Sequence, residues 1–127
     1  MFVIGLMMAA AIDMADPVGR NDAVQIIQDA ARDEFKDPES TKFEWPNGFV
    51  NGWYKPMFRQ KYTGWITCGT VNSKNGYGGY TGKAAIIGVL DDTGSIVKID
   101  VDDASSLRDP SYGPVAQACG KIGVPVF

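Results

Sequence analysis

Histidine is absent from the 127 residues of this chain. That removes the side chain most used as a general base near neutral pH and the commonest metal ligand. It also excludes Ser–His–Asp and Cys–His catalytic sites. Cysteine is scarce, with Cys68 and Cys119 alone, too few ligands without histidine for a metal site. No bound cofactor is expected. The apolar run Phe2 to Ile12 has 11 residues, where a membrane-crossing helix needs about 20.

Carboxylates are missing from one long stretch. Between Trp45 and Leu90 there is no Asp or Glu, while Lys55, Arg59, Lys61, Lys74 and Lys83 supply five positive charges. From Asp91 to Asp109 the sign reverses, six aspartates standing against Lys98 and Arg108. The net charge of −3 and isoelectric point near 4.8 argue against a partner of double-stranded nucleic acid.

Apolar residues at 45% and charged residues at 21% are globular rather than disordered composition. One domain is expected over residues 16–127, preceded by an apolar segment at 1–15. Its 2–12 run and the small residues Ala9, Ala10, Ala11 and Ala15 suit the core and cleavage zone of a secretory signal, although no Lys or Arg precedes them. The competing expectation is a retained apolar helix that docks on the domain, on a partner or on the envelope. Cys68 and Cys119 are either two buried free thiols or a disulfide. A bridge closing about 50 residues would contribute roughly 4 kcal/mol. With the apolar N-terminus, the bridge and an extracytoplasmic location are favoured, and a cytoplasmic one is the alternative.

Residues 21–38, "NDAVQIIQDAARDEFKDP", space Ala23, Val24, Ile27, Ala30, Ala31 and Phe35 at helical intervals, until Asp37-Pro38 interrupts. A short strand is expected around Thr41 to Trp45, then a long connection from Pro46 to Gln60 with Pro46, Gly48, Gly52 and Pro56 as breakers. "YTGWITCGTVN" reads as a strand with Trp65, Thr67, Gly69 and Val71 on one face. "KAAIIGVL" reads as a central strand buried on both faces. "SIVKIDV" follows a tight turn at 91–94, and Val115 to Ile122 reads as a short helix. The resulting expectation is an α+β fold: a long N-terminal amphipathic helix packed on one face of a three- to four-stranded antiparallel meander, with a short C-terminal helix.

The glycine-rich run "CGTVNSKNGYGGYTGKAA" at 68–85 is not a phosphate cradle. A P-loop needs glycine five residues before Gly82, where Tyr77 stands, and Ser or Thr after Lys83, where Ala84 stands. A dinucleotide fingerprint from Gly76 needs a small residue at 81, which is threonine, and both motifs need a helix next. The run is a loop between strands, with Asn75-Gly76 and Gly78-Gly79 providing the turning residues.

"FKDPESTKF" followed by "CGTVNSKNGYGGYTG" resembles small bacterial and phage-encoded secreted proteins. These pair a DP(D/E)SAKF element with a CG-V-N-K-N--GGY-G element and a C-terminal cysteine. The resemblance covers Phe35 to Gly82 and Cys119. It implies a secreted or envelope-associated α+β domain with a disulfide from a strand to the C-terminal region. It brings no catalytic residue.

Two groups of side chains are candidates for function. The acid-free span interleaves aromatics with cations, the makings of a recognition surface. The binding residues expected there are Trp53, Tyr54, Arg59, Lys74, Tyr77 and Tyr80, the tyrosines of the glycine-rich loop being the best placed for exposure. Phe58, Tyr62 and Trp65 are equally readable as core beneath a long loop. The second group is Asp91, Asp92, Asp100, Asp102 and Asp103. It lacks the ligand spacing of a calcium hand, but paired carboxylates have the chemistry for glycan hydrolysis. A non-enzymatic module binding a protein partner in the envelope, a secreted assembly or a phage is the leading expectation. A small hydrolase of cell-wall material and an acidic phage-encoded inhibitor of an intracellular enzyme are the alternatives.

Overall fold

A computed structural model of the chain describes residues 20–35, 37–74, 77–104 and 107–127. The apolar segment at 1–15 and the Asn75-Gly76 pair lie outside the described residues. Five antiparallel strands form one sheet between two short helices. In chain order these are α1 (Arg20–Arg32), β1 (Lys42–Glu44), β2 (Val50–Tyr54), β3 (Tyr62–Asn72), β4 (Ala84–Leu90), β5 (Ile96–Val101) and α2 (Pro114–Ile122).

The long β3 organises the sheet. One of its edges pairs with β4, which pairs with β5. Its other edge is shared: β2 runs beside residues 62–66 and β1 beside residues 70–72. Every residue of β4 is buried, because each face of the sheet carries a helix. Toward α1 lie Val71, Ala84, Ile86 and Leu90, packed with Ala23, Ile27 and Ala31. Toward α2 lie Tyr54, Ile66, Cys68, Ala85, Ile87 and Val89, packed with Val115, Ala116, Cys119 and Val124. A continuous apolar run with period-two partition is what a strand needs when both its faces are covered.

The expected α+β fold with a long leading helix is corrected on two points. First, α1 has 13 residues and stops at Arg32. Beyond it Glu34 and Phe35 donate to the carbonyls of Ala31 and Arg32, a tightening that ends the helix. The Arg32 guanidinium donates to the carbonyls of Pro38 and Thr41 and lies 5.2 Å from the Phe43 ring centroid. Asp33 and Glu34 are also unfavourable at the negative end of a helix. Second, the sheet has five strands and dominates the described residues. The missed strand, β2, lies in the segment read as a connection; its inward side is Val50, Gly52 and Tyr54, an alternation obscured by the breakers around it. Helices cover both faces, as a central strand buried on both sides requires. In β5, a register irregularity opposite Val89 and Leu90 sends Val97 to the α2 side, while Ile99 and Val101 pack toward α1.

Two close approaches fix the helix α1 and the chain after β1 on the sheet. A Cβ at Gly88 would sit 2.5 Å from Ile27 Cδ1, so glycine lets α1 settle onto β4. At Gly69 the space is taken by the Glu44 carbonyl and the Trp45 ring. That indole stacks on Phe43 at 6.1 Å and donates its N–H to Gln28 Oε1 at 2.7 Å.

Cys68 and Cys119 form a disulfide. Both are fully buried, and the bridge joins β3 to α2 through the core on that side. It is consistent with an extracytoplasmic location. No helix among the described residues is long and apolar enough to cross a membrane.

Candidate functional site

The β2–β3 hairpin loop precedes β3 and the glycine-rich loop follows it, so the two loops lie at opposite ends of an 11-residue strand. At about 3.3 Å per residue the ends are roughly 30 Å apart. The single aromatic, basic surface expected from the chain therefore divides in two. Lys74, Tyr77 and Tyr80 stand at one end, Trp53 and Arg59 at the other. Tyr54 belongs to neither. It is 5% exposed and its hydroxyl donates to Asp100 Oδ2 at 2.6 Å. Burial first, then the Asp100 carboxylate, holds that hydroxyl well above the usual phenol range.

At the glycine-rich end, Lys74 and Tyr80 form a bridge between the two limbs of the loop. Gly78 turns it with φ of 84°, a conformation that favours glycine. The Tyr80 hydroxyl donates to the carbonyl of Ser40 at 3.2 Å. Its ring carries Lys42 Nζ at 4.9 Å and Lys74 Nζ at 5.7 Å from the centroid, contacts that hold both cations on an exposed aromatic face. Tyr77 is 99% exposed. Lys42 is not among the residues expected here; it reaches the group because Lys42 pairs with Asn72 at the end of β3, a register that no local pattern announces.

Beside this group, past the end of α1, opens a cleft of about 660 Å³. Val71, Ala84 and Val101 supply apolar lining, and Glu34, Lys74 and Asp103 supply charge. Tyr77 lines it too. Apolar lining with a few polar groups around it is the usual composition of a recognition site.

The five aspartates do not assemble into one group; they are spread from one end of β4 to the other. Asp91 closes the β4–β5 turn by accepting from the N–H groups of Thr93 and Ser95 and from the Thr93 hydroxyl. Those bonds, the Thr93 hydroxyl foremost, hold its carboxyl below the usual range. Asp92 accepts from Trp65 Nε1 at 2.8 Å. Asp102 sits at the far end of β4, where its N–H donates to the Ala85 carbonyl. It is 8% exposed and accepts from the N–H groups of Val115 and Ala116 at 2.9 and 3.0 Å, capping α2 from a distant point in sequence. Along β4 the two ends of this group are roughly 20 Å apart, well beyond the spacing of paired glycosidase carboxylates. Among the described residues no three acidic or cysteine side chains converge to hold a metal ion.

The hairpin end has a different character. Arg59 N–H donates to the Pro56 carbonyl at 3.1 Å, closing a turn in which Phe58 occupies the third position with φ of 62°. That position favours glycine or asparagine, and a bulky residue there costs about 1–2 kcal/mol. Phe58 is 94% exposed, Met57 78% and Trp53 54%. Phe58 is readable as core from its composition alone; Pro56-Met57 ahead of it, the start of a tight turn, is the signal that it projects outward.

Comparison with protein-family models, with curated proteins and with solved structures finds no match.

Proposed function

We propose that this protein is a non-enzymatic binding module, exported to the envelope or secreted, that recognises a protein partner through the cleft beside Tyr77 and Tyr80. The observation that carries the reading is the cleft itself: an apolar floor on Val71, Ala84 and Val101 beside an exposed tyrosine, with Lys74, Glu34 and Asp103 on its walls. An extended peptide segment fits that chemistry, its apolar side chain covering the floor and its charges meeting the rim. The buried disulfide supports an extracytoplasmic place of action, as does the resemblance of the DPESTKF and CGTVNSKNGYGGYTG elements to small secreted bacterial and phage-encoded proteins.

The test is co-purification from the envelope and secreted fractions of the source cells, using the wild-type chain and a Tyr77→Ala/Tyr80→Ala variant. A specific protein retained by the wild type and lost by the variant, with the unfolding midpoint unchanged, is the expected result. Equal retention by both would place recognition elsewhere. Intact mass with and without thiol alkylation tests the location: a form lacking the first 15 or so residues and taking up no alkylating agent is expected. A full-length form with two alkylated thiols would sink the export reading.

A further inference from the structure

The β2–β3 hairpin lies at the end of the sheet away from the cleft, and its surface is independent of the binding function just proposed. Met57 and Phe58 form its tip, Trp53 stands at its base, and Lys55, Arg59 and Lys61 surround them. Lys61 Nζ lies 4.7 Å from the Trp53 ring centroid. We propose that this hairpin docks on a lipid surface bearing anionic headgroups. Phe58 and Met57 enter the acyl boundary, while Trp53 and the three cations lie at headgroup level.

Three observations carry this. The first is Phe58, which combines a left-handed backbone with nearly full exposure of a large apolar ring. Folding gains nothing from either feature, and local rules are broken together at sites where function demands it. The second is shape. No residue from Trp53 to Lys61 lines the cleft beside Tyr77 or the one at Trp45 and Phe127, and Met57 and Phe58 project outward, 78% and 94% exposed. Shallow insertion needs only a few apolar side chains within a basic collar, and Met57, Phe58 and Trp53 are exposed beside Lys55, Arg59 and Lys61. The third is charge placement. The hairpin carries three cations and no carboxylate. Asp91 and Asp92 belong to the turn at the same end of the sheet, but β4 ends at Leu90, which pairs with Trp65. Beyond that level Tyr62, Thr63 and Gly64 continue to pair with β2, so the cations of the loop are carried on a different hairpin from the aspartates. Lys55, Arg59 and Lys61 thus surround the exposed apolar tip with the charge that an anionic surface attracts.

The experiment is flotation of the full chain with vesicles of phosphatidylcholine alone and of phosphatidylcholine containing phosphatidylglycerol. Binding is expected only to the anionic vesicles, weakening as salt rises. Phe58→Gly is the decisive variant, because glycine relaxes the left-handed position. Its unfolding midpoint should hold or rise while its partition falls about tenfold or more. Arg59→Gln should weaken partition about fivefold, and Tyr77→Ala/Tyr80→Ala should leave it unchanged. A wild-type chain that stays with the unbound fraction at low salt would overturn the proposal. So would a Phe58→Gly variant that floats like the wild type, since the contact would then reside in another segment such as residues 2–12. A hairpin that ignores vesicles but whose Phe58→Gly variant loses a protein partner would assign the tip to a protein pocket instead, and the lipid proposal would fall.

Discussion

Asp102 is the residue whose replacement separates a structural carboxylate from a chemical one. Its two oxygens accept from two successive backbone N–H groups at the start of α2, and the side chain is buried. Gly113 allows this approach, because a Cβ there would collide with the carboxylate. In Asp102→Ala both N–H groups lose their partner in a place that water reaches poorly. Hydrogen bonds to a charged group contribute about 1.5–3 kcal/mol each, and a lost cap costs about 0.5–2 kcal/mol. Because the two bonds share one acceptor, a combined loss of about 3 kcal/mol is expected, a large part of the 5–15 kcal/mol typical of a domain. Asp102→Asn keeps one acceptor oxygen and should lose about half as much. Urea unfolding of the wild type and both variants measures this, followed by far-ultraviolet circular dichroism for the helix. The loss should persist at high salt, since the contact is buried and poorly screened. A loss under about 1 kcal/mol for Asp102→Ala would refute the capping role and return Asp102 to the candidates for chemistry.

Reducing the Cys68–Cys119 bond, which spans a sequence separation of 51, should cost about 4 kcal/mol by release of unfolded-state entropy; thermal unfolding with and without reductant reads it, and an unchanged midpoint would contradict it. Gly88→Ala places a methyl against Ile27 and should cost about 1–3 kcal/mol. Trimming the neighbour with Ile27→Val should recover part of that loss in a double-mutant cycle, and strictly additive losses would show that the two do not meet. Tyr54 is held protonated in the folded state by burial and by Asp100, so its contribution is complete below the unfolded phenol value of 10.0 and is lost as pH rises above it. Tyr54→Phe should flatten the alkaline limb of the stability profile, and an unaltered limb would count against that assignment. For Asp91 the sign is opposite: its lowered carboxyl contributes above the unfolded value and loses that contribution as pH falls, so Asp91→Asn should flatten the acid limb.

Much of the sheet was legible in the chain. The apolar run Ala84–Leu90, the alternation through Trp65 to Val71 and the turn at Asp91 to Gly94 each identify a strand or turn from neighbouring residues alone, because side-chain period reports local exposure. The terminal helix and the option of a Cys68–Cys119 bridge were also readable. The strand β2 was hidden by Gly52 and Pro56, whose breaker signals outweigh a five-residue alternation. The end of α1 was hidden because Arg32 is held by the carbonyls of Pro38 and Thr41, a contact made only after the chain reverses.

The candidate sites divide in the same way. Residue types alone determined that no histidine chemistry operates here, that the glycine-rich run is a connecting loop rather than a phosphate cradle, and that aromatics and cations share an acid-free span. Only the tertiary structure decided that this span contributes two surfaces, because an antiparallel strand delivers its preceding and following loops to opposite ends. It also turned Tyr54 inward, brought Lys42 to Tyr80, and gave Asp92 and Asp102 structural partners. Local pattern is carried by neighbours within a few residues. Which end a loop occupies and what a buried carboxylate touches are set by pairings a dozen or more residues apart, where only the assembled fold brings the groups together.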